Sequence, residues 1–114
     1  MEIWLPPSEG KNPPEEGPSL NLSALSFPSL TDTRKKIIEA CAQITDEEQA
    51  QQIFNASLRH SAEIEANQAL MSQACAPASA VFNGVLFDAL TAQEPGAWTG
   101  EGSQHITIFS GLFG

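Results

Sequence analysis

The sequence predicts a mixed α/β fold (α+β mixed), in which a short central sheet has helices packed around it. Two short apolar segments, residues 2–5 and 105–109, have the composition of β-strands, and apolar residues at helical spacing recur between them. The chain has 114 residues, 41% hydrophobic and 17% charged, as expected for one small folded domain. We therefore predict one domain over residues 1–114, with a helical hairpin inserted at about residues 46–76.

The first predicted strand covers residues 2–5 (EIWL) and is expected to be buried. It ends abruptly because Pro6 and Pro7 have no amide hydrogen with which to continue a ladder. Residues 8–18 are rich in proline and glycine, which predicts an exposed loop. Residues 20–27 predict a short turn of helix that ends at a Phe-Pro step.

The next segment predicts a helix over residues 34–44. Residues 31–33 (TDT) supply its N-cap, because Thr and Asp side chains accept hydrogen bonds from the free amides of a first turn. One face of this helix is apolar at helical period. That face consists of Ile37, Ile38, Cys41 and Ile44.

Two further helices form the predicted hairpin. Thr45 and Glu48 have the spacing of a capping box, which indicates a new helix start. The inward face of this helix is expected to consist of Ala50, Ile53 and Phe54. Residues 55–60 interrupt the pattern, and a third helix is expected from Ser61 up to Pro77, with Ile64, Leu70, Met71, Ala74 and Cys75 as its apolar stripe.

The last third of the chain predicts a return to the sheet. Residues 80–82 are strand-like, Asn83-Gly84 is a tight turn, and residues 85–90 form a short apolar helix or turn. Residues 105–109 form the second strand, followed by a glycine-rich turn at residues 110–114. A covering helix normally follows such a unit. We therefore expect exposed apolar surface on Ile106, Ile108 and Phe109.

The charge distribution bears on which partners are plausible. The formal net charge is −9, and residues 37–114 hold one basic residue against nine acidic residues. Binding to nucleic acid depends on Lys and Arg side chains that neutralise phosphates, so this part of the chain disfavours it. An anionic membrane surface is disfavoured for the same reason, and we predict no membrane partner.

Cysteine and histidine placement indicates a reducing compartment and no metal or other cofactor. Cys41 and Cys75 lie far apart in alanine-rich segments, which favours buried reduced thiols. The N-terminus has no signal-peptide pattern and no apolar run reaches the roughly 20 residues that span a bilayer, so a cytoplasmic protein is expected. His60 and His105 have no carboxylate or cysteine at ligand spacing, so no zinc site is predicted.

The loop after the first strand is the strongest candidate site. Ser8, Glu9 and Lys11 place a hydroxyl, a carboxylate and a cation together on a constrained turn. A phosphate-loop motif is excluded, because it would require a glycine at position 5 and a Ser or Thr at position 12. Two interpretations remain open for Lys11: a binding or acid/base group, or a solvated loop lysine.

The interruption between the two hairpin helices is a second candidate. In a helix-hairpin-helix, hairpin amides bind a DNA phosphate, and glycines normally permit the close approach. Residues 55–60 contain no glycine, but Asn55 can adopt the left-handed conformation that ends a helix, and Arg59 could reach a phosphate. A plain packed helical hairpin is the alternative.

Four segments of the chain resemble the peroxide stress protein YaaA family. They are LPPSEGK at residues 5–11, LSFPSLT at residues 25–31, FNGVLFDAL at residues 82–90 and FSGLFG at residues 109–114. Their order and approximate spacing match the family over the whole chain, and the first and last segments are the most specific.

The resemblance implies a cytoplasmic protein of the hydrogen peroxide response that limits damage caused by peroxide and unincorporated iron. It also implies a compact α/β fold with a positively charged cleft and a helix-hairpin-helix associated with DNA binding. Family members are longer, so the chain resembles their amino-terminal portion and an incomplete version of the fold. The residues that match family cleft segments are Ser8, Glu9, Lys11, Ser110 and Gly111, and the hairpin residues are Asn55, Ser57 and Arg59.

Three functional hypotheses follow, with binding favoured over catalysis. The first is a stress protein that binds DNA or a small anionic ligand through the cleft. The second is an enzyme acting on a phosphate- or nucleotide-bearing small molecule, with Lys11 as electrostatic clamp and Glu9 as acid/base group. The third is a shortened chain without retained activity.

Overall fold

A computed structural model describes residues 1–55 and 61–114. These residues form two parallel strands, β1 (Ile3–Leu5) and β2 (Ile106–Ile108). They also form five α-helices: α1 (Thr31–Ala42), α2 (Glu47–Phe54), α3 (Ser61–Gln68), α4 (Ala78–Val81) and α5 (Val85–Gln93). The predicted mixed α/β class is confirmed.

The chain divides into two compact units. The first unit consists of residues 1–17 and 74–114 and contains both strands, whereas the second unit consists of residues 18–73 and is helical where it is described. The hairpin inserted at about residues 46–76 stays a prediction. The number of domains over residues 1–114 stays a prediction. Among the described residues, no helix combines the length and the apolar character needed to cross a membrane.

The sheet of the first unit is a parallel pair. Ile3 lies opposite Ile106, and Leu5 lies opposite Ile108. The amide of Phe109 donates a hydrogen bond of 3.1 Å to the carbonyl of Leu5, which extends the pairing by one residue. Because the strands are parallel, both end at the same edge of the sheet. β1 and β2 are therefore direct neighbours in the sheet.

The two faces of this sheet differ in burial. Side chains alternate along a strand, so Leu5, Ile106 and Ile108 share one face, where they are half-buried. Trp4 and Phe109 lie on the opposite face, which is exposed. The prediction of a buried first strand is therefore wrong for Trp4, which is 70% exposed, and for Ile3, which is 39% exposed. Phe109 is 40% exposed, as expected, whereas Ile106 and Ile108 are half-buried and lack the exposure expected of them.

Aromatic stacking forms the core of the first unit. Phe87 on α5 is buried, its ring centroid lies 5.7 Å from that of Phe82, and it stacks on Trp98 at 6.0 Å. α5 begins after Gly84, whose φ of 107° favours glycine. Residues 85–90, predicted as a short helix or turn, form a helix that extends to Gln93.

The predicted strand at residues 80–82 is wrong. Residues 78–81 form one turn of α-helix, because Pro77 is suited to a helix start and the amide of Phe82 donates to the carbonyl of Ala78 at 2.9 Å. Only Phe82 is extended, and it forms a single antiparallel bridge with Lys11.

In the second unit, α1 begins earlier than predicted. A turn of 3-10 helix at Pro28–Leu30 leads directly into Thr31, so no side chain of residues 31–33 is needed as the N-cap. Ile38 and Ile44 are buried as predicted, but Ile37 is exposed. Arg34 occupies the buried face instead: it is 2% exposed, and its Nη1 donates to the carbonyl of Phe27 at 3.2 Å.

The start and the end of α2 also differ from expectation. Asp46, not Thr45, is the N-cap, because its Oδ1 accepts from the amide of Glu48 at 3.1 Å. Ala50 is buried as predicted. Ile53 and Phe54, in the last turn of the helix, are exposed, so the predicted inward face is wrong at these two positions.

The third helix is shorter than predicted. α3 ends at Gln68, whose Nε2 donates to the carbonyl of Ile44 at 2.9 Å, and residues 69–73 form turns. The amide of Ala69 donates to the carbonyl of Ala66 at 3.2 Å, a tightened geometry that ends the helix. Met71 therefore lies in a turn and is exposed.

Candidate functional site

The carboxyl edge of the parallel sheet brings the two predicted segments of the site to one side of the first unit. We define the carboxyl-edge rim as residues 8–11, which follow β1, and residues 110–114, which follow β2. In open α/β sheets ligands bind outside the carboxyl ends of the strands, where loops can vary without disturbing the sheet. The rim has this position.

The first part of the rim is tied to the connection between α4 and α5. The hydroxyl of Ser8 donates to the carbonyl of Asn83. The amide of Asn83 donates to the carbonyl of Gly10 at 3.2 Å, and the amide of Asn12 donates to the carbonyl of Val81 at 2.7 Å. These bonds tie residues 8–12 to residues 81–83.

Asn83 also holds the loop through its side chain. Its Nδ2 donates to Oδ1 of Asn12 at 2.8 Å. A Cβ atom on Gly10 would overlap Oδ1 of Asn83 and lie 3.3 Å from its Cγ, so the carboxamide occupies the space that a side chain at position 10 would need. Asn83 was predicted only as a turn residue. The sequence offered one signal for this role. Asn83 lies in the segment at residues 82–90 that resembles the family, and its carboxamide can both donate and accept hydrogen bonds.

Lys11 presents the cation of the rim. Its side chain is exposed, and its Nζ donates to the carbonyl oxygen of Glu9 at 3.1 Å and lies 5.8 Å from the centroid of the Phe82 ring. A cation over an aromatic face is attracted by the ring quadrupole. Lys11 thus contacts the backbone of Glu9 and not its carboxylate, which leaves the ammonium charge available to an anion.

The second part of the rim is a closed turn. The amide of Ser110 donates to the carbonyl of Gly114 at 3.3 Å, and the amide of Gly114 returns a bond to the carbonyl of Ser110 at 3.0 Å. The hydroxyl of Ser110 accepts from the amide of Phe113 at 3.2 Å, and its own proton can still be donated. A Cβ at Gly111 would meet no atom within 4 Å, so the turn is open there.

The two parts of the rim share an edge without bonding to each other. Over residues 1–55 and 61–114, no hydrogen bond joins the group Ser8, Glu9 and Lys11 to Ser110 or Gly111. Their connection runs through the strands. A ligand at the rim would therefore bridge two polar segments that are held independently.

A pocket of about 220 Å³ lies elsewhere in the first unit. It is lined by Ala78, Ser79, Trp98, Ser103, Ile106 and Ile108. None of the five predicted rim residues lines it, so the pocket and the rim are separate surfaces.

The predicted DNA contacts are described only in part. Asn55 ends α2 with φ of 50° and ψ of 34°, the left-handed conformation that the sequence allowed. Ser57 and Arg59 lie outside the described residues, so their placement stays a prediction. His105 lies 3.5 Å from Oε1 of Glu2, and no group of three or more His, Cys, Asp or Glu residues in the described ranges could hold a metal ion.

Comparison with known proteins identifies relatives over the whole chain. A UPF0246 protein of Streptomyces coelicolor is 35% identical over 119 residues, covering 100% of this chain and 45% of that protein. A UPF0246 protein of Corynebacterium efficiens is 39% identical over 114 residues with the same coverage, and one of Corynebacterium glutamicum is 37% identical. This chain thus spans 45% of the length of these curated relatives.

No solved structure matches the chain at a significant level. The family described as "Peroxide stress protein YaaA" matches residues 1–114. Because this match extends over every residue of the chain, the protein belongs to the peroxide stress protein YaaA family.

Proposed function

We propose that this protein acts in the cytoplasmic response to hydrogen peroxide, where it limits damage caused by peroxide and unincorporated iron, and that its carboxyl-edge rim binds a phosphate-bearing ligand. Family membership supports the stress role. The observation that carries the binding site is the parallel pairing of β1 with β2, which ends the two strands at one edge. Two polar segments that resemble family cleft segments therefore flank the same edge.

Charge favours a small anionic ligand over a long stretch of nucleic acid at this rim. The first unit holds seven acidic residues and one basic residue, Lys11. One ammonium group, helped by the Ser110 hydroxyl and loop amides, can pair with one phosphate. It cannot compensate the many phosphates of a duplex in an acidic unit.

The test of this site compares Lys11→Ala with Lys35→Ala, an exposed lysine on α1 in the second unit. The probes are inorganic phosphate, pyrophosphate and a nucleoside triphosphate, measured by calorimetry at low salt. We expect Lys11→Ala to weaken binding about 10-fold, the effect of losing one charge-assisted contact, and Lys35→Ala to leave it unchanged. Equal affinities for the two variants, or no binding of any probe, would reject the rim as an anion site.

The Glu9→Gln variant distinguishes catalysis at the rim from binding alone. The enzyme hypothesis requires that Glu9→Gln remove phosphate release from a nucleotide probe while binding persists. Pure binding requires that neither the wild-type protein nor Glu9→Gln release phosphate from the probe. Glu9→Gln should then not weaken probe binding, because the carboxylate of Glu9 is not the partner of Lys11.

DNA binding is a second candidate function, favoured by the left-handed Asn55 at the end of α2. It predicts retardation of a short duplex that falls steeply as salt rises. Arg59→Glu should abolish this retardation, whereas Lys36→Glu, an exposed charge reversal on α1, should retain most of it. The absence of retardation at low salt, or equal loss in both variants, would contradict a hairpin contact.

A further inference from the structure

The connection between α4 and α5 contains the one Asn-Gly step of the sequence, Asn83-Gly84. An asparagine carboxamide can react with the backbone amide of the following residue, and glycine permits this because it has no Cβ to hinder the approach. The other asparagines precede proline, leucine, alanine or glutamine, in the order Asn12, Asn21, Asn55 and Asn67. Each of those side chains hinders the reaction, and proline has no amide hydrogen to lose.

The amide of Gly84 is available as the nucleophile. Within residues 1–55 and 61–114 it donates to no acceptor, whereas the amide of Asn83 donates to the carbonyl of Gly10 at 3.2 Å. Gly84 has φ of 107°, a conformation that glycine adopts without strain. Both residues of the step are half-buried, so solvent water can reach them.

One hydrogen bond restrains the carboxamide. Its Nδ2, the atom that would leave, donates to Oδ1 of Asn12 at 2.8 Å. The loss of Nδ2 requires this bond to open, so the reaction proceeds from the minor population in which the side chain is released. Asn12 therefore controls how fast the Asn-Gly step reacts.

We propose that Asn83 is a site of spontaneous deamidation that releases residues 8–12 from the connection between α4 and α5. The nitrogen of Gly84 forms a bond to Cγ of Asn83, the bond from Cγ to Nδ2 breaks, and Nδ2 leaves as ammonia with the amide proton of Gly84. Water then opens the resulting cyclic imide at one of its two carbonyls. Opening at Cγ gives aspartate, and opening at the backbone carbonyl gives isoaspartate, whose main chain runs through Cβ.

Both products weaken the ties between the loop and the connection. A carboxylate accepts hydrogen bonds but donates none, so the bond from position 83 to Oδ1 of Asn12 is lost and two acceptors face each other. Isoaspartate also adds a methylene group to the backbone, which displaces the carbonyl that accepts from Ser8 and the amide that donates to Gly10. The inference concerns these bonds alone, so it does not depend on anion binding at the carboxyl-edge rim.

The experiment follows the 114-residue chain by peptide mapping with mass spectrometry during incubation at mildly alkaline pH, in buffer and in urea. We expect residue 83 to be deamidated faster than each of the other asparagines. The rate should be lower in buffer than in urea, because the hydrogen bond to Asn12 is present only in the folded chain. Circular dichroism verifies that the chain is folded in buffer.

Variants at position 12 test the restraint. Asn12→Ala removes the acceptor and should raise the rate at residue 83 about 5-fold, as expected for one lost hydrogen bond. Asn12→Asp keeps an oxygen that accepts from Nδ2, so the rate should stay close to that of the unsubstituted chain. Asn21→Ala is the matched control, because Asn21 lies in the second unit and its Oδ1 accepts from the amide of Ser23. It should leave the rate unchanged.

Hydrogen exchange measures the release of the loop. Ion-exchange chromatography isolates the deamidated chain by its additional negative charge. We expect faster exchange at the amides of Asn12 and of residue 83 in this form, because the bonds to the carbonyls of Val81 and Gly10 are weakened. This measurement needs no substitution, so it decides the question of release also where Asn12→Ala fails to fold.

Four results would overturn the proposal. Two concern the site: deamidation at residue 83 no faster than at the other asparagines, or equal rates in buffer and in urea. The third is an equal rate in the folded Asn12→Ala and Asn21→Ala variants, which would mean that Asn12 does not restrain the carboxamide. The fourth is unchanged exchange at both amides in the deamidated chain, which would mean that the loop is not released.

Discussion

The clearest perturbation of the candidate site is a double substitution at Gly10 and Asn83. In Gly10→Ala the new methyl group would overlap Oδ1 of Asn83, so the carboxamide must turn away. That movement breaks its hydrogen bond of 2.8 Å to Asn12, worth about 1 kcal/mol, and adds about 1 kcal/mol of rotamer strain. The entropy that Ala removes from the unfolded chain returns about 0.5 kcal/mol. The net cost is therefore about 1.5 kcal/mol.

The same substitution becomes harmless when the Asn83 side chain is absent. In Asn83→Ala the next atom that a Cβ at Gly10 meets is the backbone oxygen of residue 83, at an ordinary 3.8 Å. The φ of Gly10 is not positive, so Ala is unstrained there. In this background Gly10→Ala should leave the free energy of unfolding unchanged or raise it by up to about 0.5 kcal/mol. The coupling between the two positions is thus about 1.5 to 2 kcal/mol.

The assay is urea denaturation of the four proteins of this cycle, followed by circular dichroism. Coupling of at least about 1 kcal/mol supports the placement of the Asn83 carboxamide against Gly10. Additive costs, within about 0.5 kcal/mol, would refute it, because they would mean that the two groups do not meet.

Two further stability predictions test local geometry. Gly17→Ala should cost about 2 to 4 kcal/mol in thermal denaturation, because a Cβ would overlap the carbonyl oxygen of Cys75 and φ is 150°, whereas Gly96→Ala should be nearly neutral with no atom within 4 Å. An equal cost in both would contradict the close approach. Asp46→Ala should destabilise by about 1 kcal/mol as the loss of an N-cap, and Thr45→Ala by less than about 0.5 kcal/mol. A larger destabilisation by Thr45→Ala than by Asp46→Ala would mean that Thr45 is the N-cap, as the sequence predicts.

The strands and the points where they end could be predicted because their signals are local. Pro6 and Pro7 stop β1 through their missing amides, and β-branched residues mark β2. Asn55 likewise ends α2 with the left-handed conformation that Asn tolerates. Each of these features depends on the residue itself and its immediate neighbours.

Features that depend on distant contacts could not be predicted. Residues 80–82 have strand composition, yet Pro77 and a hydrogen bond from Phe82 to Ala78 favour a helical turn. Arg34 is buried, and the carbonyl of Phe27 accepts a hydrogen bond from its guanidinium. The role of Asn83 requires that residues 8–12 return to it across about 70 residues of chain, which no local pattern reports.

Amide chemical shifts during a phosphate titration test the proposal that the segments after β1 and β2 form one binding rim. We expect the amides of Glu9, Lys11, Ser110 and Gly111 to shift together, with one dissociation constant, and Lys11→Ala to remove both sets of shifts. Shifts confined to one of the two segments, or distinct dissociation constants for the two, would contradict a shared rim.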